Sequence, residues 1–375
     1  MDLELSNCRV AILTNMATPY RVPFFIELAK VEGVKSLDVL TCVEKEVDRE
    51  WDIKNDSSYR LLKLFGITVN LNRGTDEKRI IHFRFGVIWY LIFSRPDKLI
   101  IGDASFTSYL ASFFCLILNI DYYVWSEITT ASPVSKGFAA TLRKYMYKYS
   151  NKIVASCESA KQFINSNGPF DEKIAIVHNS VDDAFFVKKR LEYEPLRLSI
   201  REEMGIDENT FCFIFVGRLI KIKNVLETIR VVSSVSKKKK VHLIVAGSGP
   251  LESEAKQLAS ELGFFNIHFS GFTTAEQLTK LYTAADSLIL LSEYDAWGMV
   301  INEALHMGIP FFASDTVSAA VELSKFRDYC KVLDSKDSEI IIEELLNFVS
   351  ATRPNVQFSY TAKDMAMGFA SCLRT

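Results

Sequence analysis

Two carboxylates, Asp295 and Glu303, flank a Trp297-Gly298 turn in the stretch 292–305. An apolar run, 287–291, precedes the turn and a helical pattern follows it. Glu303 is then expected about two turns into that helix, at ~3.6 residues per turn. The peptide N–H groups of Gly298, Met299 and Val300 fall at the helix start, where first-turn donors lack helical partners and the dipole favours anions. Carboxylates for hydroxyls beside donors for an anion suit a sugar joined to a phosphate.

Arg218 and Lys223 follow a second apolar run, 211–216, just after Gly217. The carboxyl end of a parallel strand is where α/β sheets bind ligands. Arginine brings a fork of donors and lysine a mobile point charge. Both would offset charge developing on a departing diphosphate. Lys221, between them, reads as solvated. Gly247-Ser248-Gly249 follows the run 241–246 and precedes a helical pattern. Glycine there lets backbone approach a ligand, and the pair equally fits a tight strand-to-helix connection. No third glycine follows, and residues 14–18 are not glycine-rich, which argues against a nicotinamide dinucleotide.

These segments, with Val177–Asp182, resemble in order and spacing the retaining glycosyltransferases of the GT-B fold, family 4 (glycosyl transferases group 1). Two positions depart from its pattern: Asp295 replaces the usual Glu, and Ala296 the usual Gly. The resemblance implies that Glu303 accepts hydrogen bonds from ribose hydroxyls and that Asp295 contacts the donor sugar. It implies that Phe272, after Gly271, packs the nucleobase, and that Gly217, Gly247, Gly249, Trp297, Gly298, Met299 and Val300 line the donor site. From the residues alone, Asp295 also fits a cap for the following helix. The first half matches more loosely, through Pro19-Tyr20-Arg21-Val22-Pro23. Arg21 would face the cleft. Glu127 stands where many family members carry a catalytic-side His and would bind or orient the acceptor hydroxyl; Asp103 has a similar position. Glu293-Tyr294-Asp295 superficially resembles the Asp-x-Asp metal site of other transferases, but its context is metal-independent. None of the five His residues pairs at metal-ligand spacing. No metal and no cofactor beyond the donor is expected.

The chain has 375 residues, 49% of them hydrophobic, and a formal net charge of -2. That length suits two domains, and that charge gives no reason to expect nucleic acid. Seven scattered cysteines without a Cys-x-x-Cys read as reduced core residues. The start, Met1-Asp2-Leu3-Glu4, lacks a signal-peptide pattern, so a cytoplasmic protein is expected, peripheral at most on the inner face of the membrane.

Short apolar runs alternate with helical patterns at 8–13, 36–41, 98–101, 122–125 and 152–155. The rhythm restarts at 211–216, 241–246, 266–270, 287–291, 310–313 and 330–333. It indicates an α/β chain of two Rossmann-like, doubly wound parallel-sheet domains. The first, 1–182, would bind the acceptor, and the second, 183–358, the nucleotide-sugar. A GT-B chain has these domains facing a cleft, with the terminal helix (359–375) crossing back to the first. The charged segment 182–209 reads as a linker plus an edge excursion, and the uncharged 104–120 as a buried helix. Arg143, Lys144, Lys148 and Lys152 interleave with tyrosines, a mix suited to an anionic membrane surface.

The expected function is transfer of a sugar from a nucleotide-diphospho-sugar to a glycan or lipid-linked acceptor in cell-surface polysaccharide synthesis. The alternatives are a GT-B epimerase or phosphorylase, which release of free nucleotide separates, and a catalytically silent glycan-binding scaffold, against which Arg218, Lys223 and Glu303 argue.

Overall fold

The structure is a computed structural model that describes residues 5, 7–43, 56–71, 79–102, 105–133, 137–325, 329–334, 336–349 and 356–374. The chain divides into two units, 1–182 with 360–375, and 183–359.

In the first unit the order is β1 (Cys8–Thr14), α1 (Val22–Ala29), β2 (Val34–Thr41), β3 (Arg60–Lys63), β4 (Ile67–Leu71), β5 (Arg79–Phe83) and α2 (Gly86–Phe93). It continues with β6 (Lys98–Gly102), α3 (Phe106–Leu118), β7 (Asp121–Ser126), α4 (Phe138–Tyr149), β8 (Lys152–Ala155), α5 (Glu158–Ser166) and β9 (Ile174–Ile176). The sheet order is β3-β2-β1-β6-β7-β8-β9, and its pairings are parallel; β4 and β5 form a separate antiparallel pair. The order reverses direction between β1 and β6, which makes their carboxyl ends a topological switch point.

The second unit opens with α6 (Asp183–Tyr193) and α7 (Arg197–Glu203), followed by β10 (Phe211–Val216), α8 (Val225–Ser236), β11 (Val241–Ala246), α9 (Glu252–Glu261), β12 (Ile267–Gly271) and α10 (Ala275–Ala284). Then come β13 (Ser287–Leu290), α11 (Met299–His306), β14 (Phe311–Ser314), α12 (Ser318–Ser324), β15 (Lys331–Leu333) and α13 (Ser338–Phe348). Its parallel sheet runs β12-β11-β10-β13-β14-β15, with the switch between β10 and β13. β10 and β11 are buried at every position, as strands covered by helices on both faces must be.

The last helix, α14 (Ala362–Leu373), belongs to the first unit. A capping box between Thr361 and Asp364 starts it. It packs on α1, and its Met365, Phe369 and Leu373 join Phe24, Phe25 and Trp125 in the unit's core. Each such side chain contributes about 1.5–3 kcal/mol relative to exposure.

Two sequence expectations fail here. The segment 182–209 is not a linker but carries α6 and α7. Its charges look solvent-directed yet serve as ties: Arg197 and Arg201 both pair with Asp286, and Arg201 also donates to the carbonyls of Ala284 and Asp207. Nor is the helix at 104–120 buried. α3 turns small side chains inward, Thr107, Ser108, Ala111, Ser112 and Cys115, and leaves Phe113, Leu116 and Ile117 exposed.

Candidate donor and acceptor sites

In the second unit the loops after β10, β11, β12 and β13 share the carboxyl edge of the sheet. Backbone hydrogen bonds lace them together: Gly217 to Ala246, Leu219 to Ser248, Gly247 to Gly271, and Glu293 to Ile222. Gly247 has φ +144°, and a Cβ there would stand 1.9 Å from the Gly217 carbonyl oxygen. Glycine is thus needed for the two loops to touch. Gly249 sits similarly against Leu219, while Gly217 faces open space. Phe272 is exposed just after β12.

Arg218 is exposed on the loop after β10. Lys223 ends a single 3₁₀ turn, 221–223, and its Nζ is ion-paired to Asp295 Oδ2. The two residues expected to serve diphosphate and sugar separately therefore meet. Asp295 does not cap α11: Gly298 holds the N-cap position, and Asp295 instead bridges to Val317 through its backbone. Asp295 of the Glu293-Tyr294-Asp295 stretch is held by Lys223, and among the described residues no group of three metal-ligating side chains gathers.

Trp297 is buried, and its indole N–H donates to Asn302 at 2.8 Å. Its side chain therefore fixes the turn and offers its backbone, not its ring, to a ligand. Gly298 has φ +95° and lies so close to Val317 that a Cβ would meet it at 2.6 Å. The first turn of α11 then presents the N–H groups of Met299 and Val300 ahead of its helical ladder. Glu303 accepts from the Tyr282 hydroxyl at 2.9 Å. Desolvation pushes its carboxyl up to about 7, against a smaller lowering by Tyr282. Tyr282, on α10, was missed in the sequence, because only the fold brings that helix beside α11.

In the first unit, Arg21 and Glu127 come together from loops after β1 and β7. Arg21 Nη2 donates to Glu127 Oε2 at 2.8 Å and Nη1 to Thr14 at 2.7 Å, while the guanidinium lies 4.5 Å from the Trp125 ring centre. Asn179, fully buried after β9, donates to Glu127 Oε1 at 2.5 Å. Both oxygens of Glu127 are engaged, which fixes the orientation of its carboxyl group. Arg21, expected to face the cleft, is buried with its guanidinium against Glu127 and Thr14. Asn179 was legible only as part of a motif, with no chemistry attached. Asp103 lies outside the described residues.

The whole chain superposes on Anabaena HepE, solved in complex with UDP and glucose, with a TM-score of 0.67 at 14% identity, covering 96% of this chain and 94% of that one. The fold is GT-B, with two Rossmann-like parallel-sheet domains. Residues 197–365 match the model of the family described as glycosyl transferases group 1. That segment, which spans most of the second unit, is similar to the family. An uncharacterized glycosyltransferase of Methanocaldococcus jannaschii is 27% identical over 186 residues, 48% of this chain and 47% of the relative. The alpha-monoglucosyldiacylglycerol synthase of Streptococcus pneumoniae is 26% identical over 140 residues, 37% of this chain and 32% of the relative. The chain thus spans about half the length, or less, of these curated relatives.

Proposed function

We propose that the protein is a glycosyltransferase that moves a sugar from a nucleotide-diphospho-sugar to a glycan or lipid-linked acceptor, with retention and without a metal. The observation that carries this reading is the switch point of the second unit, where Arg218, the Lys223–Asp295 pair, the α11 N-terminus and Glu303 gather within a group 1 segment. Glu303 takes the ribose hydroxyls, Phe272 the base, and Gly217, Gly247 and Gly249 leave room for phosphate. The bond from the sugar's anomeric carbon to the diphosphate oxygen breaks as the acceptor oxygen bonds to that carbon on the same face. The acceptor's proton passes to the departing phosphate oxygen, and Arg218 and Lys223 offset the charge there. Glu127, set by Arg21 and Asn179, orients the acceptor hydroxyl. HepE's complex with UDP and glucose supports a sugar nucleotide, and the name of the pneumococcal alpha-monoglucosyldiacylglycerol synthase supports an acceptor with a lipid part. A place in cell-surface polysaccharide synthesis, at the inner face of the membrane, follows the same reading, with α4 touching anionic lipid.

Mass spectrometry of the protein with a panel of sugar nucleotides, with and without EDTA, tests this. Donor hydrolysis or transfer that survives EDTA and falls about a hundredfold in Arg218→Ala, a typical loss of transition-state charge stabilisation, is expected. No turnover with any donor, or near-normal turnover in that variant, overturns it.

A further inference from the structure

The helices α2, α3 and α4 lie side by side and, by right-handed crossovers in one direction across the sheet, cover the same face of the first unit. Their outer surface is inverted relative to an ordinary surface helix. The exposed side chains include Trp89 at 61%, Ile92 at 42%, Phe93 at 77%, Phe113 at 50%, Leu116 at 40% and Ile117 at 61%. Trp89 stacks on Phe93 with ring centres 5.9 Å apart. Arg95 donates to the Leu118 carbonyl at 3.3 Å and so ties the carboxyl ends of α2 and α3. Single exposed apolar residues need no explanation, but a contiguous set marks an interaction surface.

Charge says what covers it. The sequences of these three helices contain no Asp or Glu. Arg95, Lys144 and Lys148 are exposed along the same surface, and the Lys148 ammonium lies 5.2 Å from the Tyr149 ring centre. Two carboxylates beside these helices are engaged, Asp97 by Arg9 at 3.1 Å and Asp121 by Lys98 at 3.6 Å. Arg143, expected among the membrane-facing cations, is buried against the Phe163 ring instead. A second copy related by two-fold symmetry would set this cationic, apolar face against itself, with no carboxylate to receive the lysines. An anionic bilayer supplies both complements: headgroup phosphates for the cations and an acyl boundary for the aromatic rings.

We propose that the outer face of α2, α3 and α4 docks on an anionic lipid bilayer, with Trp89, Phe93, Phe113 and Ile117 entering the interface and Lys144 and Lys148 on the headgroups. This deepens the membrane contact of the preceding section and rests on that reading for its purpose. It differs in mechanism, because apolar insertion leaves a component of binding that salt does not screen.

Flotation with phosphatidylcholine vesicles, with and without phosphatidylglycerol, tests it. The wild-type chain should float with the anionic vesicles and keep part of that binding in high salt. Trp89→Ser/Phe93→Ser/Ile117→Ser should weaken binding about tenfold or more. Lys144→Glu/Lys148→Glu should bring anionic vesicles down to the neutral level. All these side chains are exposed, so UDP binding, measured alongside, should match wild type in both variants. Unchanged flotation of the triple variant overturns the proposal. So does a wild-type chain that ignores vesicles but sediments as a dimer that the triple variant dissolves, since the occupant is then a second copy. A chain that floats as expected but neither binds nor turns over any sugar nucleotide would sink the transferase reading and leave the docking face standing.

Discussion

The ion pair between Lys223 and Asp295 governs what either side chain can offer a donor. Both side chains are only about a fifth exposed, at 20% and 19%, so their attraction is weakly screened. Removing Asp295 leaves the Lys223 charge in place without a partner and free to turn to a diphosphate. Asp295→Ala should therefore bind a free nucleoside diphosphate at least as tightly as wild type. Its sugar transfer should fall about ten- to a hundredfold, the worth of one charged hydrogen bond of roughly 1.5–3 kcal/mol. Titration with nucleotide alone and then with intact donor separates these; a loss of nucleotide affinity like that of Glu303→Ala would assign Asp295 to the nucleotide. Glu303 carries its own signature. With its carboxyl at about 7, it is near half-ionised at neutrality. Ribose hydroxyls donate to the ionised form, so nucleotide binding should release protons and strengthen as pH rises from about 6 to 8. The folded value lies above the ordinary 4.5, so this group's stabilising contribution is full below about 4.5 and lost as pH rises through about 7. Calorimetry in buffers of different ionisation enthalpy reads the protons, and Glu303→Gln should flatten the profile. A wild-type affinity indifferent to pH would remove Glu303 from the ribose. The positions of Lys223 and Glu303 were legible because a strand end and a helix start announce themselves in sequence. Their partners were not: Asp295 meets Lys223 across a loop junction, and Tyr282 reaches Glu303 from another helix.

Elements were legible in proportion to how completely burial dictates them. β10 and β11 coincide with the apolar runs 211–216 and 241–246, because strands covered on both faces admit little else. β3 is an edge strand with no fully buried position, its Leu61 and Leu62 half-buried between exposed Arg60 and Lys63, and left no such run. The β4–β5 pair stands outside the main sheet and was equally silent. α3 misled for the opposite reason: its apolar composition is real but points outward. The junction before α11 shows how one position can set an element. Gly298 combines φ +95° with the close approach of Val317. Gly298→Ala forces a left-handed conformation on a side chain and pushes on α12's N-cap residue, a strain on the order of 1–3 kcal/mol. Denaturant unfolding should show that loss, and nucleotide affinity should fall with it as the Met299 and Val300 donors shift. Unchanged stability in this variant would mean that the turn relaxes freely and that glycine is not what aims α11.

At the scale of the whole molecule, the βαβ rhythm and its restart showed the two parallel sheets; the spacing of Met365, Phe369 and Cys372 showed a helix in the tail, and only the GT-B resemblance implied its return to the first unit. The consequence is that the last residues of the chain complete the core that the first residues begin. Phe369 is the clearest case, with its ring centre 4.8 Å from that of Phe24 on α1 and 5.2 Å from that of Trp125 on β7. Phe369→Ala leaves a cavity between α1, α14 and the sheet and should cost the first unit about 3–5 kcal/mol, as large-to-small core changes do. A chain of two units need not unfold in one step, so a single midpoint is the wrong readout. Trp125 is buried beside Phe369, and Trp297 is buried in the second unit, which makes tryptophan emission in a Trp297→Phe background a reporter weighted to the first. In urea, the first-unit transition should move to lower denaturant. Nucleoside diphosphate binding by the second unit should persist to the same urea concentration as in the Trp297→Phe parent. If both signals shift together by the same amount, the two units unfold as one, and α14 stabilises the whole chain, not the first unit alone.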